Sequence, residues 1–201
     1  MPLKVVLAST SPYRAAQLRA FGLKFSSRAP RVDEEKLKRQ FRNSRLNPRM
    51  LSRKLALAKA RSLAANSSSV VIGADQLLNF RGRTLGKPKT VKGNIKMLSV
   101  LQNRTHELIT SVAVVHGHRQ AVGTVTARIK LRALSEREIQ DYVRRDRALD
   151  CAGGYKFERA GLALVEKIVV SDPSSLVGLS LMTLQKLFLK LEIPMAYQYE
   201  K

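Results

Sequence analysis

The chain is predicted to fold as an α/β protein, because short apolar runs of strand length alternate along it with segments whose apolar residues recur at helical spacing. The punctuation agrees: Ser/Thr/Pro, Gly/Pro and Gly-rich clusters fall where one period gives way to the other. At 201 residues, 44% of them hydrophobic, the chain suits one globular domain or two closely joined lobes with a real core.

Taken in order, residues 4–8 read as a short buried strand, and the Ser/Thr/Pro turn after it caps a helix running to about Phe21, with Gly22 as its stop. Residues 51–65 carry a helical stripe through Leu51, Leu55 and Ala58. Val70-Val71-Ile72 forms a buried strand that is expected to end at Gly73 and Asp75. Residues 79–83 read as a hairpin turn, and Gly86-Lys87-Pro88 as a loop before a helix over 91–101. Consecutive strands are expected over 108–116 and 123–131, around the turn His116-Gly117-His118. Ser135 and Glu138 form a capping box that opens a helix to about Arg145. Gly153-Gly154-Tyr155 is a loop, 163–170 a strand and 180–191 a final amphipathic helix. A loose tail is expected beyond Pro194.

One cysteine, Cys151, cannot form an intramolecular disulfide, so no oxidising compartment is required. The apolar start before Ser9 is too short for a signal peptide, and no run reaches the roughly 18 apolar residues of a spanning helix. A soluble cytoplasmic protein with no membrane partner is therefore expected. The formal charge of +22 creates a field attractive to nucleotides, nucleic acids or anionic lipid. Twelve Lys or Arg residues within 28–61 face only Asp33, Glu34 and Glu35. A solvated basic surface with incidental nucleic-acid affinity is the plain reading of that run.

Ser9-Thr10-Ser11-Pro12 lies between a strand and a helix, where free backbone N–H groups and the helix dipole suit an anion, and Arg14 adds charge in the first turn. Ser11 can equally serve only as the cap of a helix that begins at Pro12. Asp75, after a strand and a glycine, puts a carboxylate where open α/β sheets place ligands; there it can hold Mg²⁺ or activate water. Glu34 is a second acidic candidate, and Lys59 and Lys87 are cations able to neutralise phosphate oxygens. As single residues, these are also ordinary turn and surface positions. The chain has no Walker A pattern, no Gly-x-Ser-x-Gly elbow and no histidine spacing that makes a zinc site.

Leu7-Ala8-Ser9-Thr10-Ser11-Pro12-x-Arg14, Val32-Asp33-Glu34, Ala58-Lys59-Ala60, Ile72-Gly73-Ala74-Asp75, Leu85-Gly86-Lys87-Pro88, Arg104-Thr105-His106, Ala152-Gly153-Gly154-Tyr155 and Leu176-Val177-Gly178-Leu179 together resemble the Maf family of nucleotide pyrophosphatases, in order and spacing, across nearly the whole chain. The resemblance implies a single Maf-like domain over residues 1–201, with an ITPase-like two-lobed α/β fold, an elongated central mixed sheet and a nucleotide cleft between the lobes. It implies a hydrolase of acid anhydrides that converts a nucleoside triphosphate to monophosphate and diphosphate, a divalent cation (Mg or Mn), and a homodimer. By the same likeness Asp75 is the proton acceptor for the attacking water and shares the metal with Glu34. Ser9, Arg14, Lys59 and Lys87 would hold phosphates.

Tyr13, Gln76 and Glu158 fall where that family sets substrate choice, and an aromatic, a Gln and a Glu resemble the subgroup acting on 7-methyl-GTP. The physics agrees. Cationic 7-methylguanine would gain from stacking on Tyr13, and Glu158 could accept from the guanine N1–H and amine. The alternatives are a dTTP/UTP pyrophosphatase of the same family, or a basic nucleic-acid-binding protein on the same scaffold. The chain departs from the pattern at Tyr13, usually Trp; at Ala15, usually Arg; at Asn103 and Ser111, commonly Gly; and at Ser180, commonly Pro.

Overall fold

The computed structural model describes residues 3–42, 47–64 and 69–194. The strands are β1 (Lys4–Ala8), β2 (Ser26–Arg28), β3 (Ser69–Phe80), β4 (Arg83–Leu85), β5 (Thr105–His116), β6 (Arg119–Leu131) and β7 (Val165–Val169). The helices are α1 (Pro12–Ala20), α2 (Glu34–Arg42), α3 (Pro48–Arg61), α4 (Val91–Leu101), α5 (Glu136–Asp146) and α6 (Leu181–Lys190). The strands form one seven-stranded sheet in the order β2-β1-β3-β5-β6-β7, with β4 also paired to β3. β1 runs parallel to β2 and β3, whereas β3 with β4 and β6 with β7 are antiparallel. The sheet is mixed, as the Maf resemblance implies.

The chain divides into two compact units. The first comprises residues 1–76, 110–125 and 172–201, the second 77–109 and 126–171. In the first, β1 and β3 are buried on both faces and read as nearly continuous apolar runs, as parallel strands under helices do. Alternation sorts their side chains. Val5, Leu7, Val70, Ile72 and Ala74 join Leu18 of α1 and Leu184, Leu187 and Phe188 of α6 in one cluster. Val6, Ala8 and Val71 join Ala56 and Ala60 of α3 in the other. Gly73 shares the α3 side: a Cβ there would lie 2.2 Å from the Ala56 carbonyl oxygen and 2.7 Å from the Ala60 nitrogen. The glycine lets α3 lie against the strand.

The second unit packs α4 against α5, with Leu98, Leu101, Leu108, Ile129, Leu131, Ile139 and Val143 buried. Ser135 and Glu138 make the expected reciprocal capping box of α5. The hairpin between β3 and β4 turns on Arg81 and Gly82, both at positive φ.

Several elements differ from the sequence expectation. β3 does not stop at Gly73 and Asp75 but continues to Phe80, because Leu77 and Leu78 are buried in turn. Asp75 therefore lies inside its strand, although it stands beyond the last residue pair with β1, Ala8 with Gly73. α3 begins earlier, capped by the Asn47 side chain at Pro48, and ends at Arg61. β5 and β6 are longer than expected, and β7 starts two residues late because a 3-10 segment occupies Ala160–Leu164. β2, β4 and α2 had no counterpart in the sequence reading. The expected helix end at Ala65 and the tail beyond Pro194 lie outside the described residues. Among those described, no helix is long and apolar enough to cross a membrane.

Candidate active site

α1 follows β1 through Ser9-Thr10-Ser11. Ser11 caps the helix by accepting from the Arg14 backbone N–H, with Pro12 at the first helical position. This arrangement turns Arg14 back toward the strand end: its Nη1 donates to Ser9 Oγ at 3.4 Å and its Nε to the Gly178 carbonyl at 2.9 Å. Gly178 sits at φ +107, a conformation that favours glycine, and its carbonyl thereby fixes the guanidinium from the other side. Burial pushes the Arg14 guanidinium below its ordinary value, while the Asp75 and Glu34 carboxylates pull it up.

Asp75 projects on the α3 side of β3, where the helix offers Ser52, Ala56, Lys59 and Ala60 one above another. Lys59 Nζ donates to Asp75 Oδ1 at 2.8 Å and lies 3.0 Å from Glu34 Oε1. One buried ammonium thus joins two carboxylates from different elements. Lys38 approaches the other Glu34 oxygen at 3.9 Å and bonds Glu35 at 3.1 Å. Desolvation raises the Glu34 carboxyl, but Lys59, then Lys38 and Arg14, outweigh it and hold the group below the usual carboxylate value. Asp75 Oδ2 is buried and has no hydrogen-bond partner among the described residues.

Ser9, Arg14, Glu34, Lys59 and Asp75 are thus linked in the first unit by direct contacts or by mutual charge. Glu34 and Asp75 offer two convergent carboxylates with one unsatisfied oxygen. This donor set suits a hard divalent cation that draws its remaining ligands from water and substrate phosphates. No cluster of three or more His, Cys, Asp or Glu side chains that could hold a metal ion occurs among the described residues.

Gln76 points to the opposite face from Asp75. Its Nε2 donates to Thr110 Oγ1 at 3.1 Å and to the Ser175 carbonyl at 2.9 Å, and Thr110 Oγ1 donates to that same carbonyl. The Gln76 amide is therefore clamped. Tyr13 is half-buried on α1. Lys87 and Glu158 belong to the second unit, Lys87 exposed on the loop before α4 and Glu158 exposed on a turn after the buried Lys156.

Sequence reasoning missed the groups that aim these side chains: Thr110, the carbonyls of Ser175 and Gly178, and Ser52, whose Oγ donates to the Asp75 carbonyl at 3.3 Å. Part of the signal was visible, since Leu176-Val177-Gly178-Leu179 stood out without a role. Asp172 organises that segment. It accepts from the Ser174 N–H and hydroxyl through Oδ1, and from Ser180 Oγ and the Met182 N–H through Oδ2. Ser180, where the family commonly has proline, keeps the segment tied by this bond instead.

The remaining departures also find physical places. Asn103 adopts φ +53, which asparagine tolerates better than most residues. Ser111 is buried and bonds Thr124 Oγ1 at 2.9 Å. Ala15 packs in the core under α1. His106 is buried with its Nε2 2.6 Å from the Tyr155 hydroxyl, and desolvation lowers it to about 4. Cys151 is half-buried, and burial pushes its thiol up to about 12, which suits packing rather than nucleophilic attack.

Fold and site thus define an α/β protein whose mixed sheet carries a buried carboxylate-ammonium-carboxylate centre beside an arginine held at a strand-to-helix turn. The chain belongs to the Maf family: the family profile described as Maf-like protein matches residues 4–191. A protein of Bdellovibrio bacteriovorus named 7-methyl-GTP pyrophosphatase is 41% identical over 93% of this chain and 97% of its own length. Relatives with the same name from Syntrophotalea carbinolica and a Polaromonas strain are 37% and 41% identical, over 90% and 88% of this chain and 90% and 80% of theirs. Among solved structures, the Ham1 protein of Staphylococcus aureus matches 94% of this chain and 99% of its own at 14% identity, with a TM-score of 0.44.

Proposed function

We propose that this protein is a nucleoside triphosphate pyrophosphatase that hydrolyses 7-methyl-GTP to 7-methyl-GMP and diphosphate. The observation that carries the reading is Asp75: one carboxylate oxygen is fixed by Lys59 and the other is buried with no partner among the described residues. A buried acceptor held at a fixed angle suits removal of a proton from water. The water oxygen attacks the α-phosphorus, its proton passes to Asp75, and the bond from the α-phosphorus to the bridging oxygen breaks so that diphosphate leaves.

Ser9 and Arg14 bind phosphate oxygens at the start of α1, where the helix dipole adds its positive end. Lys59 and Lys87 neutralise charge that develops during displacement. Glu34 and Asp75 would hold a divalent cation, Mg or Mn, which when bound supplies further positive charge at the phosphates. Tyr13 stacks on the cationic base, and Glu158 accepts from its N1–H and amine. Gln76, with its Nε2 already committed to Thr110 and Ser175, contributes through a fixed side chain rather than a mobile one.

The shared name of relatives 35–41% identical along most of the chain supports the methylated substrate. A single-domain, cytoplasmic homodimer belongs to the same reading. The test is diphosphate release from a panel of nucleoside triphosphates with Mg²⁺ or Mn²⁺. A preference for 7-methyl-GTP over GTP, dTTP and UTP is expected. Preference for dTTP or UTP overturns the substrate, and release from none of them overturns the reaction.

A further inference from the structure

The flank of α3 that faces β6 carries a stripe of Arg49, Arg53 and Arg61, about 6 and about 12 Å apart along the helix axis. All three reach β6, and all three meet neutral groups there. Arg49 donates to the Thr124 carbonyl at 3.4 Å, Arg53 to Thr124 Oγ1 at 3.4 Å and Arg61 to Gln120 Oε1 at 2.9 Å. Thr124 is braced in turn by Ser111, a residue that departs from the family pattern. Among the described residues none of the three forms an ion pair with a carboxylate, so the guanidiniums are oriented without being neutralised.

Two comparisons show that the stripe is unlike ordinary surface charge. On α5, Arg137 and Arg144 share the Asp141 carboxylate at 4.0 and 3.3 Å, so that basic surface is partly compensated within its own helix. On α3 no acidic residue occupies the first turn, and Arg49 stands there against the positive end of the dipole. That placement opposes helix stability. Of the acidic residues in the basic run, Glu34 is held by Lys59 and Lys38, Glu35 pairs with Lys38, and Asp33 accepts from the Lys36 backbone N–H.

We infer that this stripe is a second binding surface, distinct from the nucleotide site, which takes the phosphate backbone of duplex nucleic acid without reading its sequence. Guanidinium forks pair bidentately with phosphate oxygens. α3 contains no aromatic residue on which unstacked bases could lie, which argues against a single-strand platform. Met50 is the one exposed large apolar side chain on α3 among the described residues, too little apolar surface for seating in a bilayer. Lys59 points from the same helix into the buried centre, so a single helix serves both surfaces with different residues.

The test is binding of a fluorescently labelled DNA duplex by anisotropy across about 50 to 200 mM salt. Arg49→Gln/Arg53→Gln/Arg61→Gln should weaken binding at least tenfold and reduce the slope of log K against log salt by about 2 to 3, the value for three lost phosphate contacts. Arg49→Lys/Arg53→Lys/Arg61→Lys should keep most of the slope, and Arg137→Gln/Arg144→Gln/Arg145→Gln on α5 should change it by less than half as much. Equal losses from the α5 and α3 variants mean diffuse attraction and overturn the proposal, as does wild-type affinity in the α3 glutamine variant. Binding to phosphatidylserine vesicles with none to the duplex assigns the stripe to membranes and also overturns it. None of these residues belongs to the carboxylate-ammonium centre, so diphosphate release by the glutamine variant reports folding and tests the enzymatic reading separately.

Discussion

Lys59 Nζ and Asp75 Oδ1 lie 2.8 Å apart with both side chains only 7% exposed, and the same ammonium reaches Glu34 at 3.0 Å. Removing one member of a buried pair strands the other, which is far more destabilising than replacing both. Lys59→Met should therefore lower unfolding free energy by about 3–5 kcal/mol. The double variant Lys59→Met/Asp75→Asn should recover a clear part of that loss. Denaturant titrations of the two single variants and the double variant check it; purely additive losses would mean that the two residues are not coupled.

Asp75→Asn keeps the shape of the side chain and removes its ability to take a proton. The Lys59 contact weakens, yet the site stays filled. Turnover should fall by about 10²–10⁴-fold, the usual contribution of general base catalysis. KM should change much less than kcat. A variant with turnover within a factor of three of wild type would remove Asp75 from the reaction.

Much of this site was legible because its residues mark the ends and edges of elements. Ser9, Ser11, Pro12 and Arg14 read correctly as a strand-to-helix turn, since capping chemistry is local. Asp75 was recognised but misplaced at a strand end, because a charged residue inside a strand makes sense only once its partner is known. That partner, Lys59, lies 16 residues away on α3 and becomes visible only when the sheet puts Val71, Gly73 and Asp75 on one face. Gln76 inverted the same lesson: adjacent in sequence to Asp75, it faces the other side and is clamped by Thr110 and Ser175 from distant segments. α2 escaped notice because Glu34 to Arg42 is largely polar and charged, with no stripe long enough to fix a period.

Gly73 is required by packing rather than by backbone conformation. Its missing Cβ would meet the Ala56 carbonyl oxygen at 2.2 Å, and that atom cannot rotate away. Gly73→Ala should push α3 off β3, lower stability by about 1–3 kcal/mol as overpacking does, and reduce turnover by displacing Lys59. Gly86→Ala, where a Cβ meets nothing within 4 Å, is the control and should leave both stability and turnover near wild type. Matched thermal melts of the two variants distinguish close approach from a general intolerance of alanine.

His106 gives the fold a predictable acid response. It is 2% exposed, its Nε2 sits on the Tyr155 hydroxyl, and its Nδ1 has no partner among the described residues. Desolvation lowers its folded-state value to about 4, whereas an unfolded histidine titrates near 6.5. Between those values the unfolded chain binds a proton that the native chain refuses, so stability rises with pH. The His106 contribution should therefore be complete above about pH 6.5 and decline as pH falls toward about 4. His106→Gln leaves a neutral polar side chain at the position and removes the titration. Its denaturation midpoint should be lower than wild type at pH 7, and the gap should narrow steadily toward pH 4.5. Parallel curves for the two proteins across that window would show that His106 does not resist protonation in the native state.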